Sequence, residues 1–270
     1  MEGRIIVTGA SGSMGAAAVE ALVAGGHPVV MACRNLAKAS DVRDGVFSRH
    51  PSAEIDIRQL DLSSMESVRR FAASVKSGSV AALFNNAGVM DRRFRLTRDG
   101  LENTMSVNYF GPWLLTNLLL DKLPADARIV NMVSLTCRFA HIDVHSIFPT
   151  EKGYGQLRNY SRSKRALLSF SQELARRHPL LRVNVADPGI VASNMIDLGR
   201  WFDPLADALF KPFCKKPAQG VAPALAAIRS DVGMQCFKGS GSGAIAGRFI
   251  DPALDSGLWE ATAKFFEEGK

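Results

Sequence analysis

The first fifteen residues constrain the fold of this chain more than any other stretch. Arg4–Thr8 is a short apolar run that predicts a β-strand, and Ala16 begins a run of helix-forming residues. Between them lie Gly9, Gly12 and Gly15. A turn without β-carbons lets the backbone approach a pyrophosphate, and the N–H groups and dipole at a helix N-terminus stabilise its charge. Glycine spacing alone is a weak signal, but its position between a strand and a helix favours a dinucleotide-binding turn over a plain loop.

Further apolar runs follow along the chain, and predicted helices separate them. The predicted strands span residues 4–8, 27–34, 54–60, 80–84, 128–133, 180–185 and 248–250. This alternation predicts an α/β fold with a doubly wound, mostly parallel sheet (a Rossmann fold) of about seven strands, with helices on both faces. No repeat or linker divides residues 1–270, so we expect a single domain.

Four local patterns add detail to this prediction. A predicted helix over 97–122 contains Asn108, and Pro112 cannot donate a hydrogen bond to its carbonyl group. A helical carbonyl group without its usual donor indicates either a proton-relay site or a kink that serves packing. Ser63 and Glu66 predict a capping box, and the GSGSG tract at 239–243 predicts a flexible loop. Residues 192–231 predict a lid with two short helices, whose large apolar side chains either line a substrate site or pack in the core.

The composition narrows the class of protein. A net charge of +7 and a pI of about 9.4 favour an anionic ligand. No basic run is long enough for a nucleic-acid-binding arm, so the arginines within 92–98 are expected to form a solvated face or the rim of a cofactor site. The four cysteines lack metal-ligand spacing, which predicts reduced thiols and no metal site. We expect a cytoplasmic protein, because no apolar run approaches the roughly 20 residues of a membrane span and the first strand leaves no room for a targeting peptide.

Two further positions carry chemistry. In dinucleotide-binding folds, an arginine after the second strand accommodates a ribose 2′-phosphate, so Arg34 favours NADP over NAD. Tyr160 and Lys164 lie four residues apart near the start of a predicted helix over 158–178, and therefore share one face. A nearby ammonium group and the positive end of a helix both lower the pKa of a phenol. We therefore predict that Tyr160 exchanges a proton near neutral pH.

Taken together, these motifs resemble the short-chain dehydrogenase/reductase family. The motifs are TGASGSMG at 8–15, NNAG at 85–88, Asn108, Ser134, Tyr160-x-x-x-Lys164 and Pro188-Gly189. They run in the family's order from residue 4 to about residue 194. The segments ACRN at 32–35 and NYSRSK at 159–164 are similar to the retinol-dehydrogenase and protochlorophyllide-reductase branch.

The resemblance implies an NADP-dependent oxidoreductase that transfers a hydride between nicotinamide and a carbonyl or alcohol group of an apolar small molecule. Tyr160 would be the general acid or base, and Ser134 would hydrogen-bond the substrate oxygen. Lys164 would hold the nicotinamide ribose, and Asn108 would support a water relay to it. The implied cofactor-binding residues are Gly9, Ser11, Gly12, Ser13, Met14, Gly15, Arg34, Asn35, Asp61, Leu62, Asn86, Ala87, Gly88, Tyr160, Lys164, Pro188, Gly189, Val191 and Ser193. A homo-oligomer through the helices that contain Asn108 and Tyr160 would also suit the family.

One motif departs from the family pattern. The compact branch has TGxxxGxG, which would place glycine at 13, whereas here Gly12 and Ser13 are exchanged. The resulting spacing is that of the family's extended branch, which leaves a sugar-nucleotide epimerase or dehydratase as an alternative. A second alternative is a regulatory protein that binds NADP without turnover. The presence of Asn108, Ser134, Tyr160 and Lys164 together argues against that regulator.

Overall fold

The computed structural model describes residues 3–191 and 215–268. Within these residues, eight strands form one sheet. The strands are β1 (Arg4–Thr8), β2 (Val29–Cys33), β3 (Ile55–Gln59), β4 (Val80–Asn85), β5 (Arg128–Met132), β6 (Arg182–Asp187), β7 (Gln235–Lys238) and β8 (Gly241–Ala244). Their order is β3-β2-β1-β4-β5-β6-β7-β8, parallel except for β8, which pairs antiparallel with β7. The order reverses between β1 and β4, which is where sheets of this kind bind ligands at the carboxyl ends of the strands.

Helices cover both faces of the sheet. They are α1 (Ser13–Ala24), α2 (Leu36–Phe47), α3 (Met65–Ser74), α4 (Asn103–Met105), α5 (Gly111–Leu119), α6 (Gln156–Arg177), α7 (Pro217–Arg229) and α8 (Pro252–Glu268). The core on one face joins α1, α2 and α7, and the core on the other joins α3, α5, α6 and α8. The side chains of β1, β2 and β4 are almost all buried, because strands covered on both sides must be apolar throughout. The predicted doubly wound sheet is therefore confirmed.

The far edge of the sheet differs from the prediction. Residues 248–250 were expected to form the last strand, but Gly247–Phe249 is a 3₁₀ turn. The last two strands are instead β7 and β8, and β8 begins within the tract predicted to be a flexible loop and ends one residue after it. Glycine and serine side chains give little strand signal, so the pairing of β8 depends on backbone hydrogen bonds to β7.

Two helix starts also differ from the prediction. The side chain that caps α3 is that of Ser64, which accepts from the N–H of Ser67, whereas Ser63 donates to Asp61. The helical segment predicted from residue 97 begins only at α4, where Glu102 accepts from the first N–H groups. The preceding residues instead form an isolated bridge between Leu96 and Glu102.

The C-terminal helix α8 packs on α5 and α6 through aromatic rings. Trp259 lies against Trp113 on α5 and Phe170 on α6, with ring centres 5.4 and 5.7 Å apart. Asp255 at the start of α8 is fully buried and pairs with Arg176 on α6 at 2.8 Å. The helices that contain Asn108 and Tyr160 are thus covered on this side by the chain itself.

Part of the predicted lid lies outside the described residues. Residues 192–214, which include Ser193 and most of the large apolar side chains of that segment, belong to this part. The described remainder of the lid segment contains one 13-residue helix, α7. In residues 3–191 and 215–268, no helix combines the length and apolar character required to cross a membrane.

Candidate active site

The turn after β1 has no room for a side chain at two of its glycines. Gly9 has a φ of +63°, and a Cβ there would lie 2.9 Å from the Cα of Ala87. A Cβ on Gly15 would lie 2.3 Å from the carbonyl oxygen of Gly9. Gly12 has φ −77° and ψ 166°, an extended conformation that any residue adopts. The turn therefore depends on Gly9 and Gly15, and the exchange of Gly12 with Ser13 does not disturb its backbone.

The first turn of α1 is open to an anion. No side chain caps this helix, and its first turn contains no acidic residue. The N–H groups that open a helix have no intrahelical acceptor, and they attract a negative group. Ser13 at the first position is exposed, Ser11 is half-buried, and Met14 packs towards Gly220 on α7.

Thr8 and Asn86 join the carboxyl ends of β1 and β4. The Oγ1 of Thr8 accepts from the N–H groups of Asn86 and Ala87, both at 3.0 Å. Asn86 Nδ2 donates to the carbonyl oxygen of Thr8 at 2.9 Å. Asn86 Oδ1 is buried, with no hydrogen-bond partner among the described residues. This oxygen is a ready acceptor for a ligand hydroxyl beside the glycine turn.

The four candidate residues after β2 and β3 differ in exposure and in what their side chains contact. Arg34 is exposed, and Asn35 caps α2 by accepting from the N–H of Lys38 at 3.0 Å. Asp61 Oδ1 accepts from the N–H and hydroxyl of Ser63 at 2.9 and 2.6 Å. The side chain of Leu62 is only 4% exposed and packs in the core that contains α3 and α5.

The loop after β6 is tied to the segment that precedes α7. Gly189 has a φ of +72°, and its N–H donates to the carboxylate of Asp187 at 2.9 Å. Lys215 Nζ donates to the carbonyl oxygen of Pro188 at 3.3 Å. Val191 and Lys215 form a parallel β-bridge. An ammonium group therefore lies beside the Pro188-Gly189 motif.

Ser134 follows β5 and faces Tyr160. Its Oγ accepts from the N–H and the hydroxyl of Thr136 at 3.2 and 3.1 Å. Ser134 also lies close enough to the phenol of Tyr160 to favour its ionised form. Because Thr136 donates to Ser134, the position of the serine hydroxyl is fixed by the turn in which it lies.

Lys164 is buried between α6 and the ends of β4 and β5. Its Nζ donates to the carbonyl oxygen of Met132 at 2.9 Å and lies 6.0 Å from the centre of the Tyr160 ring. A Cβ added to Gly88 would lie 3.2 Å from the same Nζ. The predicted shared face of Tyr160 and Lys164 is therefore present, and it meets the NNAG loop.

The predicted pKa of Tyr160 is wrong in direction. Desolvation raises the pKa of Tyr160 to about 12, although the hydrogen bond with Ser134 opposes the shift. Burial lowers the pKa of Lys164 to about 8. For Tyr160, the cost of desolvating the phenolate is the largest contribution to the pKa. It outweighs the stabilisation expected from the nearby ammonium group and the helix N-terminus.

Asn108 connects the loop after β4 to α6. Its Oδ1 accepts from the N–H of Val89 at 2.8 Å, and its Nδ2 donates to Val89 O and Ser163 Oγ, both at 2.9 Å. Its backbone lies in a π-helical turn, Ser106–Phe110, so the predicted interruption of the helix before Pro112 is confirmed. Asn108 Oδ1 would lie 3.5 Å from a Cβ on Gly88, which places it beside Lys164.

Three residues of this site were missed in the sequence. Thr8 lies inside the TGASGSMG motif, so the motif could have identified it. Thr136 stands two residues after Ser134, a spacing typical of local serine and threonine hydrogen bonds. Lys215 is far from Pro188 along the chain, and no local pattern pairs them.

Comparisons with known proteins agree with this geometry. The family model for short chain dehydrogenase matches residues 4–200. Retinol dehydrogenase 13 from Homo sapiens is 34% identical over 279 residues, which cover 96% of this chain and 83% of that protein. A crystal structure of an uncharacterised protein from Mycobacterium Paratuberculosis has a TM-score of 0.78 and 28% identity, and covers 98% of this chain and 93% of that chain.

A further structure shares the fold at lower identity. A short-chain dehydrogenase from Sphingobium yanoikuyae, in complex with NADPH, has a TM-score of 0.66 and 19% identity. It covers 97% of this chain and 95% of that chain. Because the family model matches most of this chain and the relatives align over nearly all of it, the protein belongs to the short chain dehydrogenase family of oxidoreductases that act on CH–OH or C=O groups.

Proposed function

We propose that this enzyme transfers a hydride between NADP(H) and the carbonyl or alcohol carbon of a small molecule, with Tyr160 as the general acid or base. The observation that supports this most directly is the meeting of Tyr160, Ser134 and Lys164 at the carboxyl edge of the sheet. Ser134 lies beside the phenol, and the buried ammonium of Lys164 lies 6.0 Å from the centre of the phenol ring. A carbonyl oxygen that approaches Ser134 would meet the hydroxyl group of Tyr160 as well.

The residues along this edge fit a dinucleotide. Gly9 and Gly15 let the turn pack closely against Ala87 and onto itself, and the uncapped α1 offers N–H donors to a pyrophosphate. The unpartnered Asn86 Oδ1 suits a ribose hydroxyl. Arg34 is exposed at the end of β2, where a 2′-phosphate would be bound. When bound, NADPH would supply the hydride.

The side chains then divide the proton chemistry. In reduction, the phenol of Tyr160 gives its proton to the carbonyl oxygen, and Ser134 orients that oxygen. The ammonium of Lys164 stabilises the phenolate that remains, and it lies close enough to Gly88 to hold a ribose hydroxyl at the NNAG loop. Asn108 positions this loop against α6 and supports return of the proton to Lys164.

Replacement of Tyr160 by phenylalanine tests the proposal. Tyr160→Phe removes only the phenolic oxygen, so we expect NADPH oxidation with an active carbonyl substrate to fall by at least about 100-fold, the usual contribution of a positioned acid. NADPH affinity, measured by fluorescence titration, should change little.

Tyr154→Phe is the matched control. Its hydroxyl donates to the carbonyl oxygen of Asp91 at 2.8 Å, away from Ser134. We expect that variant to keep turnover within a few-fold of the wild type. Undiminished turnover by Tyr160→Phe would contradict the proposed role of Tyr160.

A further inference from the structure

A cavity of about 330 Å³ opens beside Ser134. It lies between the carboxyl ends of β5 and β6 on one side and the β7–β8 hairpin with the following 3₁₀ turn on the other. Its inner wall is apolar, formed by Val133, Leu168, Val185 and Ile245, all of them buried. A cavity of this size and lining suits an aliphatic or aromatic group rather than water alone.

Cationic side chains surround the apolar wall. Arg138, Lys238 and Arg248 line the cavity, and all three are exposed. The one carboxylate of the lining belongs to Asp187, which is buried and accepts from the N–H of Gly189. Asp187 and Lys238 are register partners in β6 and β7, so Lys238 is the cation of the lining whose backbone lies beside this carboxylate.

Arg138 and Arg248 are the two guanidinium groups of the cavity lining. Neither forms an ion pair with a carboxylate among the residues described. The guanidinium of Arg248 lies 5.0 Å from the centre of the Phe249 ring, which also lines the cavity. Arg165 lies 5.6 Å from the centre of that ring. This contact orients Arg248 while its N–H donors remain available to an acid.

We infer that the substrate is an apolar carbonyl compound that carries a carboxylate group. Its apolar part would occupy the cavity, Arg138 and Arg248 would bind the carboxylate, and the carbonyl oxygen would meet Ser134. This inference rests on the proposed function, because it assigns the substrate class of the same site. The inferred substrate class is narrower than apolar carbonyl compounds in general, because a neutral ligand would leave both guanidinium groups without a partner in the complex.

Ligand binding in the absence of NADP(H) tests the inference without turnover. Titration calorimetry would compare decanoate with decan-1-ol on the wild type, on Arg138→Gln and on Arg248→Gln. A charge-assisted hydrogen bond contributes about 1.5–3 kcal/mol, so we expect decanoate to bind at least about tenfold more tightly than decan-1-ol. Each substitution should remove most of that preference and leave decan-1-ol unchanged.

Two further variants separate charge from volume. Arg93→Gln removes an exposed arginine outside the cavity and should leave both affinities unchanged. Ile245→Trp should weaken both ligands, because it fills the apolar part. Equal affinity of the wild type for the two ligands, or an equal loss with Arg93→Gln, would overturn the inference.

Turnover distinguishes this inference from the proposed function. 9-Oxodecanoic acid and its methyl ester would be assayed with NADPH, and we expect kcat/KM to favour the acid by at least about tenfold in the wild type, by the same charge-assisted bond. Reduction of both compounds at equal rates would support the proposed function and overturn the inference. Reduction of neither, with decanoate binding lost in Arg138→Gln and Arg248→Gln, would overturn the proposed function and support the cavity as a site for an apolar acid.

Discussion

Lys164 is a charged group held where charge is costly. Its side chain is 2% exposed, and its Nζ donates to the carbonyl oxygen of Met132 at 2.9 Å. Burial lowers its pKa to about 8. The ammonium form therefore dominates below pH 8, and the neutral amine dominates above it. This titration falls within the range in which an oxidoreductase is assayed.

The pH dependence of reduction should report this group. We expect kcat/KM for carbonyl reduction to decline above about pH 8, because loss of the Lys164 charge removes the cation that stabilises a Tyr160 phenolate. The profile should be measured from pH 6 to 10 with NADPH saturating. Lys164→Arg, whose guanidinium stays charged, should move the decline to higher pH if it remains active. A profile that is flat through pH 9.5 would contradict the role of the ammonium.

Arg34 carries the proposed preference for NADP. It is exposed at the end of β2, so its removal should cost little stability. We expect Arg34→Ala to weaken NADPH binding by about 10- to 100-fold, the value of a charge-assisted hydrogen bond, and NADH binding by much less. Fluorescence titration of both cofactors measures this. Arg69→Ala, at an exposed position of α3, serves as the control, and equal losses for NADPH and NADH in Arg34→Ala would remove the argument for 2′-phosphate recognition.

Residue types and spacing predicted which side chains would meet, but not their electrostatics. Tyr160, Lys164, Ser134 and Asn108 lie together because helix starts and strand ends share one edge of a parallel sheet. The pKa direction of Tyr160 was wrong because desolvation depends on every atom packed around the phenol. That packing comes from distant parts of the chain, and spacing does not record it.

The sequence predicted one feature of the π-helical turn before α5 and missed another. Pro112 marked the interruption, because proline lacks the N–H that would continue the helix. The close approach of Gly111 to Leu62 was not visible. A Cβ on Gly111 would lie 2.8 Å from the carbonyl oxygen of Leu62, on the loop that contains Asp61.

Two glycine-to-alanine substitutions within helices should have opposite effects on stability. Gly111→Ala should lower the free energy of unfolding by about 1–3 kcal/mol, because the added methyl group overpacks the contact with Leu62. Gly45→Ala, inside α2 with no atom within 4 Å of the new Cβ, should raise it by about 0.5–1 kcal/mol. Urea denaturation measures both. Equal effects would mean that the approach of α5 to this loop is not close in solution.

Other elements were missed for a shared reason. β8 contains mainly glycine and serine, and α8 is an aromatic-rich helix whose partners lie on α5 and α6. Neither segment has a strong periodic pattern of its own. The pairing with β7 and the packing against α6 define them, so only tertiary structure reveals them.

At the scale of the whole molecule, α8 bears on self-association. The proposed homo-oligomer would use the helices that contain Asn108 and Tyr160. Trp259 and Phe266 of α8 already pack on Trp113 of α5, with ring centres 5.4 and 5.3 Å apart. Association through that face would therefore require α8 to move away.

Removal of α8 should change the assembly state. A chain that ends at Asp251 exposes Trp113 and Phe170, and we expect it to form dimers or larger species, because such an apolar patch is rarely left in water. Light scattering after size-exclusion chromatography measures the molar mass of the truncated chain and of the full chain at equal concentration. We expect the full chain to form no oligomer through this face, so its molar mass should stay below that of the truncated chain's assemblies. A full-length oligomer as large as that of the truncated chain would contradict this assignment.

The β-bridge between Val191 and Lys215 has a consequence for how such an enzyme changes during evolution. The two residues that flank the intervening segment, Val191 and Lys215, are already neighbours in this bridge. Closing a chain between fixed ends costs only about 0.6 kcal/mol for each doubling of its length. Insertions or deletions between these two residues should therefore cost little and leave the sheet intact.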